Sequence, residues 1–105
     1  MVSYGVRCEN ILEGPHPSIR ICDVTGYLEE EGDEKKVHAY VDKRSIKKIG
    51  DKSYIKIGVI PIEIMPYRER QRLDRFLIEF PQETTEGFWR IWVDESSLVE
   101  LTGED

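Results

Sequence analysis

The sequence predicts an α+β domain made mainly of antiparallel β-strands, folded as a small barrel or strongly twisted sheet with one short helix. The 105 residues include eight Gly and five Pro, which divide the chain into short runs. Those runs are rich in Ile, Val, Tyr and Trp, which is typical of strands. A chain of this length builds one core but not two, so residues 1–105 are expected to form a single domain.

The first half of the chain predicts three strands. Residues 3–12 and 18–28 form the first two, separated by two prolines that stop a strand ladder. A bulge is expected at Thr25-Gly26, where the alternation of side chains is imperfect. Residues 35–41 alternate apolar and polar side chains and predict the third strand. Between them, residues 29–34 predict an acidic loop that brings carboxylates opposite the lysines that follow it.

The second half contains the helix candidates. Residues 42–50 form either one helical turn capped by Asp42, which we favour, or a strand that turns at Gly50-Asp51. Residues 52–65 predict a strand whose proline indicates an edge or a bulge. Residues 66–75 predict the one helix, because proline suits its first position and good helix formers follow. The remaining strands are predicted at residues 76–80, 88–93 and 97–101, and a mobile tail at residues 102–105.

Charge is distributed unevenly along the chain. Residues 35–75 hold twelve of the fifteen Lys and Arg residues against five acids, a segment charge of +7. Residues 1–34 and 76–105 carry −6 and −7, so the net charge of the chain is −6. Such asymmetry indicates either an anion-binding surface or acidic strands that neutralise basic ones within the fold, the interpretation we favour.

The basic segment supplies the candidate binding residues. If residues 66–75 are helical, Arg68, Arg72 and Arg75 share a face, and if they are extended, Arg68, Arg70 and Arg72 do. Either geometry makes a row of guanidinium groups suited to bidentate contacts with phosphates or carboxylates. A second cluster would extend that surface and comprises Lys43, Arg44, Lys47 and Lys48.

The aromatic strand at residues 88–93 carries a tryptophan on each face. Alternation puts Trp92 on one face and Trp89 on the other. One face of a small domain looks outward unless another layer covers it, so one interpretation makes Trp89 or Trp92 an exposed interface anchor. The other interpretation, which we favour, is that both pack, in a barrel or under the helix.

The sequence predicts no catalytic residue, no metal site and no cofactor. Cys8, His16, Cys22 and His38 lack the close pairing of structural zinc ligands, and free buried thiols are favoured over one bridge. No apolar run approaches the length of a membrane span. The N-terminus lacks the basic lead and apolar core of a secretory signal, so a cytoplasmic protein without membrane contact is expected.

Two local resemblances add expectations. Gly87-Phe-Trp-Arg-Ile-Trp92 with Ser97-Leu-Val-Glu-Leu101 resembles the closing strands of SH3-like barrels, which implies an aromatic strand, a short turn and a last strand. Arg44-Ser-Ile-Lys-Lys-Ile-Gly-Asp-Lys-Ser-Tyr-Ile-Lys-Ile57, Ile60-Pro-Ile-Glu-Ile64 and Arg75-Phe-Leu-Ile-Glu79 are similar to the swapped-hairpin AbrB-type DNA-binding family. That second resemblance implies a dimer that binds nucleic acid.

These observations together predict a non-enzymatic binding or adaptor module. It would engage an anionic protein surface through Arg68, Arg70, Arg72 and Arg75, with Trp89 or Trp92 as an apolar anchor. One alternative is a nucleic-acid-binding regulator of the AbrB type. Another is an acidic inhibitor that mimics nucleic acid or blocks a basic cleft of another protein.

Overall fold

The computed structural model describes residues 3–29, 32–61 and 75–101. Strands alternate with short turns throughout this part of the chain. The strands are β1 (Tyr4–Glu13), β2 (Ile19–Tyr27), β3 (Glu34–Asp42), β4 (Ile46–Ile49), β5 (Lys52–Val59), β6 (Arg75–Glu79), β7 (Arg90–Asp94) and β8 (Leu98–Glu100). Two 3₁₀ turns, Lys43–Ser45 and Glu95–Ser97, precede β4 and β8.

Five of these strands close into a barrel. β1 pairs with β2, β2 with β7, β7 with β6, β6 with β5 and β5 with β1, always antiparallel. β3 extends the sheet beside β2, β4 beside β5, and β8 beside β1. The predicted antiparallel barrel is therefore confirmed, and its end follows the order of strand, turn and strand implied by the SH3-like resemblance.

Helix is confined to the two 3₁₀ turns in the part of the chain that the structure describes. The predicted helix at residues 66–75 lies outside the described residues, except for its last residue. Arg75 is the first residue of strand β6. The predicted tail at residues 102–105 also lies outside the described residues.

The core fills the barrel with the inward-facing side chains of each strand. Alternation along a strand sends one set of side chains inward and the other outward. The largest of the fully buried members, each less than 2 % exposed, are Val6, Cys22, Val24, Ile55, Ile78, Ile91 and Val93. A second, smaller cluster packs on the outer side of the barrel, where Leu77 and Trp92 contact Tyr27 and Ile60.

Strand β1 bends so that its two halves pair with different strands. Its first half pairs with β5 and its second half with β2. The register shifts between Glu9 and Leu12, and Asn10 adopts a φ of 52°, a left-handed conformation that asparagine tolerates. The bulge predicted at Thr25-Gly26 was wrong, because β2 and β3 pair without interruption over the whole of β2.

Strand β2 closes the barrel by passing very close to β7. The two strands share one aligned pair, Tyr27 opposite Trp92. A Cβ on Gly26 would lie 2.4 Å from the Trp92 carbonyl oxygen and 2.7 Å from Cδ1 of Ile91. No side chain fits at that separation, so the crossing requires glycine.

The β2–β3 hairpin does not pair acids with lysines as predicted. Lys35 lies opposite Gly26 and Lys36 opposite Thr25, and Glu34 of the acidic loop is itself the first residue of β3, opposite Tyr27. The Lys36 ammonium lies instead 4.0 Å from a carboxylate oxygen of Asp23, on the same outward face of the sheet.

Two corners of the fold repeat one short sequence. Val41-Asp-Lys-Arg-Ser-Ile46 and Val93-Asp-Glu-Ser-Ser-Leu98 each end a strand, make a 3₁₀ turn and begin the next strand. In the first corner the Asp42 carboxylate accepts a 2.8 Å hydrogen bond from the Arg44 backbone N–H. In the second corner Asp94 makes no such cap. Residues 42–50 thus combine parts of both predicted alternatives. A 3₁₀ turn capped by Asp42 comes first, and strand β4 follows and turns at Gly50, which has a φ of 67°.

The loop between β6 and β7 is fastened to β3 through His38. The Glu86 carboxylate accepts a 3.0 Å hydrogen bond from the His38 backbone N–H and also contacts Nδ1 of its ring. The other ring nitrogen, Nε2, lies 3.4 Å from Asp23. The hydrogen bond to Glu86 raises the pKa of His38. Partial burial opposes ionisation of Glu86, yet the hydrogen bonds from His38 lower its pKa to about 2.

We expect Gly26→Ala to lower the free energy of unfolding by about 2–3 kcal/mol, since its methyl group would overlap the β7 backbone. Gly58→Ala is the matched control: a Cβ there meets nothing closer than 3.9 Å, and alanine in a strand is favoured over glycine by about 0.5–1 kcal/mol. Urea unfolding of the three proteins measures both effects. Equal midpoints for the two variants would contradict the closure argument.

The His38–Glu86 contact should make stability depend on pH. The folded pKa of His38 is raised above its ordinary 6.5, so its contribution is complete below that pH and is lost as the pH rises through the raised value. The folded pKa of Glu86 is about 2 against an ordinary 4.5, so its contribution is complete above 4.5 and is lost as the pH falls towards 2. Glu86→Gln should therefore lower the free energy of unfolding most between pH 4.5 and 6.5.

Urea unfolding across pH tests this, with Glu83→Gln as the control because Glu83 is an exposed carboxylate of the same loop. The charges that face His38 from the neighbouring strands, Asp23 and Lys36, remain in both variants. If Glu86→Gln lowers the free energy of unfolding by the same amount from about pH 4 to about pH 8, the His38–Glu86 contact does not make stability depend on pH.

Candidate functional site

The β4–β5 hairpin presents a row of lysines on the outside of the barrel. Ile55 and Ile57 of β5 are buried in the core, so the alternate residues Lys52 and Lys56 face outward. Lys47 of β4 is aligned with Tyr54 of β5 and shares that outward face. We call Lys47, Lys52 and Lys56 the lysine face.

Tyr54 lies at the centre of the lysine face. It is aligned with Lys47 on one side and with Arg7 of β1 on the other. The side chain is only 7 % exposed, because Tyr54 and Leu101 close over Gly5 of β1, whose Cβ position lies 3.2 and 3.1 Å from their side chains. The lysine face therefore has a packed tyrosine at its centre and lysine ammonium groups around it.

The arginines of the described residues are engaged within the fold. Arg7 lies 3.2 Å from Glu9, Arg44 3.0 Å from Asp42, Arg75 3.6 Å from Asp94 and Arg90 3.2 Å from Glu79. Arg20 donates to two backbone carbonyl oxygens. Of these four ion pairs, Arg75–Asp94 alone joins the basic segment of residues 35–75 to an acidic flank.

Several lysines differ from these arginines. Within residues 3–29, 32–61 and 75–101, no carboxylate oxygen lies within 4 Å of the ammonium groups of Lys43, Lys48, Lys52 or Lys56. Lys52 and Lys56 are both exposed and belong to the lysine face. Their charge is available to a partner.

The predicted second basic cluster is divided by the fold. Lys43 and Arg44 lie in the 3₁₀ turn after β3, while Lys47 and Lys48 occupy adjacent positions of β4 and so point to opposite faces. Hydrogen bonds from the Arg44 side chain and backbone lower the pKa of Asp42 to about 2. Of the four residues, Lys47 alone shares the outward face of Lys52 and Lys56.

Of the four arginines in the predicted row, Arg75 lies within the described residues, and Arg68, Arg70 and Arg72 lie outside them. The Arg75 guanidinium lies 3.4 Å from the centroid of the Tyr27 ring, and its side chain is 14 % exposed. The Tyr27 hydroxyl donates a 3.1 Å hydrogen bond to Asp94, and partial burial together with this bond raises the pKa of Tyr27. Arg75 therefore joins β2, β6 and β7 and contributes little surface.

The two tryptophans differ in exposure, as one of the two interpretations predicted. Trp92 is 5 % exposed and belongs to the outer cluster with Leu77, whereas Trp89 is 50 % exposed. Trp89 precedes β7, which begins two residues later than predicted, at Arg90. Trp89 is thus the candidate anchor, at the end of the barrel where its carbonyl accepts a hydrogen bond from the Phe80 N–H.

A groove beside the lysine face is acidic. The groove has a volume of about 360 Å³, and its lining includes Glu9, Asp23, Glu34 and Asp94. Arg7 lies at its boundary with the lysine face and lines both surfaces. Sequence reading missed the groove because it combines residues from strands that only the barrel brings together. The lysine face lies on the local β4–β5 hairpin, and the alternation Lys52, Tyr54, Lys56 was its signal in the sequence.

Searches against protein-family models, curated proteins and solved structures gave no match. Over the described ranges, no group of three or more His, Cys, Asp or Glu side chains is arranged to hold a metal ion. A helix with the length and apolarity needed to cross a membrane is likewise absent from those ranges. The site is therefore interpreted from its own geometry.

Quenching of tryptophan fluorescence should distinguish the two side chains, which are the only tryptophans of the chain. We expect Trp89→Phe to remove most of the emission that iodide quenches, since Trp89 is half exposed. Trp92→Phe should keep that emission and lower the free energy of unfolding, because it leaves space in the outer cluster. Stronger quenching of Trp92 than of Trp89 would contradict this assignment.

Proposed function

We propose that this protein is a non-enzymatic binding module whose lysine face engages an acidic surface of a protein partner. The observation that carries the proposal is the contrast between the cations. The described arginines are held by carboxylates or carbonyls, whereas Lys52 and Lys56 project from one face with no carboxylate of the described chain within 4 Å. A charge that the fold does not use for its own packing is available for recognition.

The chemistry of the reactive side chains supports a role in binding. His38 is held between Asp23 and Glu86, so neither ring nitrogen is open to a substrate. Cys8 and Cys22 are free thiols, 3 % and 0 % exposed. Their mutual contact lowers the pKa of Cys8 and raises that of Cys22, yet both sulfur atoms lie inside the barrel. A nucleophile must be reachable to act.

Two features favour an acidic protein over nucleic acid as the partner. The chain carries a net charge of −6, which opposes the approach of a phosphate backbone, with its high density of negative charge, more strongly than that of a protein with a local acidic patch. Tyr54, the aromatic residue of the lysine face, is buried and offers no ring for stacking on bases.

The acidic groove supports a second candidate function. An inhibitor that occupies a basic cleft needs a concentrated negative surface, and the groove places Glu9, Asp23, Glu34 and Asp94 around one opening. A partner of this kind would itself be strongly basic. It would be retained by variants of the lysine face and lost when the groove carboxylates are replaced.

Charge reversal tests the main proposal. In pull-downs from native lysate, Lys52→Glu/Lys56→Glu should lose a partner that the wild type and Lys35→Glu/Lys48→Glu retain. The control changes the net charge equally, at an exposed residue of β3 and on the other face of β4. With the purified partner, the affinity should fall about tenfold or more, and the salt dependence should become weaker.

Nuclease treatment identifies the partner class in the same experiment. A partner that persists after nuclease and depends on Lys52 and Lys56 supports the proposal. Loss of the partner on nuclease treatment would replace it with nucleic-acid binding, and an unchanged partner in the folded lysine variant would exclude the lysine face.

A further inference from the structure

An apolar groove lies next to the lysine face on the outside of the barrel. It has a volume of about 440 Å³, and its mostly apolar lining includes Lys56, Gly58, Phe80 and Pro81. Lys56 belongs to both surfaces, so the groove continues the lysine face along β5. A volume of this order is typical of pockets that accept a side chain or a small ligand.

β5 has no side chain at its outward position 58, which lines the groove. Gly58 is aligned with Glu79 of β6, and a Cβ built on Gly58 would meet nothing closer than 3.9 Å. The strand conformation does not require glycine there, since Gly58 is not among the glycines with a positive φ. The open space is therefore a property of this residue and not of a strained turn.

The charges around the groove favour an acidic ligand. Glu79, the carboxylate that lines it, accepts a 3.2 Å hydrogen bond from Nε of Arg90. Lys56 has no carboxylate within 4 Å among the described residues, and Lys52 lies farther along the same face. With Glu79 engaged by Arg90, Lys56 is the charged residue of the groove lining that no ion pair of the described residues neutralises.

We propose that this groove binds one apolar side chain of an extended acidic segment of the protein partner, while carboxylates of that segment contact Lys56 and Lys52. The inference rests on the proposed function and names the ligand of the same surface. Residues of an extended chain advance about 3.3 Å each. Lys56 and Lys52 lie two and six residues from Gly58, so the segment carries acids about two and six positions from its apolar anchor.

Labelled eight-residue peptides test the inference by fluorescence anisotropy at low ionic strength. The anchor probe carries Phe, with Glu two and six positions beyond it and polar uncharged residues elsewhere; a second copy has the reversed sequence. The matched probe replaces Phe with Ala. We expect the wild type to bind the anchor probe, in one of its two directions, about tenfold more tightly than the matched probe.

Filling the groove should abolish that preference. Gly58→Leu occupies the open space without a backbone clash, so it should bind the two probes equally and weakly. Gly58→Ala, which adds one methyl group, should retain most of the preference. Gly58→Val is the second filling variant, with a side chain suited to strands, and urea unfolding verifies that each variant is folded.

The outcomes separate this inference from the proposed function. If the wild type binds both probes equally and Gly58→Leu behaves as the wild type, the groove is not the anchor site, although the lysine face can still bind acids. If Lys52→Glu/Lys56→Glu binds both probes as the wild type does, the proposed function itself is wrong. Failure of every probe to bind the wild type would overturn the inference.

Discussion

The close crossing of β2 and β7 is the constraint on which the rest of the structure depends. One aligned residue pair joins these strands, and the absence of a side chain at Gly26 allows their backbones to approach. Closure there gives every barrel strand an inner and an outer face. The inner faces supply the apolar core, and the outer faces are left to carry charge. The lysine face and the acidic groove are both outer faces of strands that the closure holds in place.

Arginine and lysine have different tasks on those outer faces. A guanidinium group makes several directed hydrogen bonds, which suits it to joining strands, as Arg75 does between Tyr27 and Asp94. An ammonium group is a compact, well-hydrated charge on a flexible stem, and it loses little by remaining in solvent. The division explains how a chain with a net charge of −6 keeps a basic face. The described arginines are engaged by carboxylates or backbone carbonyls, whereas Lys52 and Lys56 of β5 have no carboxylate of the described residues within 4 Å.

Periodicity along the chain was sufficient to predict most strands and the barrel, because apolar residues at every second position report directly on a core. Most strand ends were predicted within one or two residues, as at Arg90, where β7 begins, but β5 ends at Val59 and not at the predicted residue 65. Features that depend on two distant segments could not be predicted: the bend at Asn10, the glycine crossing, and the alignment of Lys47 with Tyr54 and Arg7. The sequence predicted a binding surface made of arginines, because guanidinium groups bind anions well. For the same reason the described arginines bind carboxylates or carbonyl oxygens of the chain itself.

The two repeated corners show how one neighbouring residue decides what a carboxylate does. At Asp42 the second residue of the turn is Arg44, whose backbone N–H and side chain both bind the carboxylate, so that acid and base cancel locally. At Asp94 the corresponding residue is Ser96, and the carboxylate instead accepts from Tyr27 and pairs with Arg75 on two other strands. The same hexapeptide pattern thus makes an electrically closed corner in one place and a junction between three strands in the other. The corners differ at three positions, and the first has in Arg44 a guanidinium partner for its carboxylate within the turn, whereas the carboxylate of the second binds residues of distant strands.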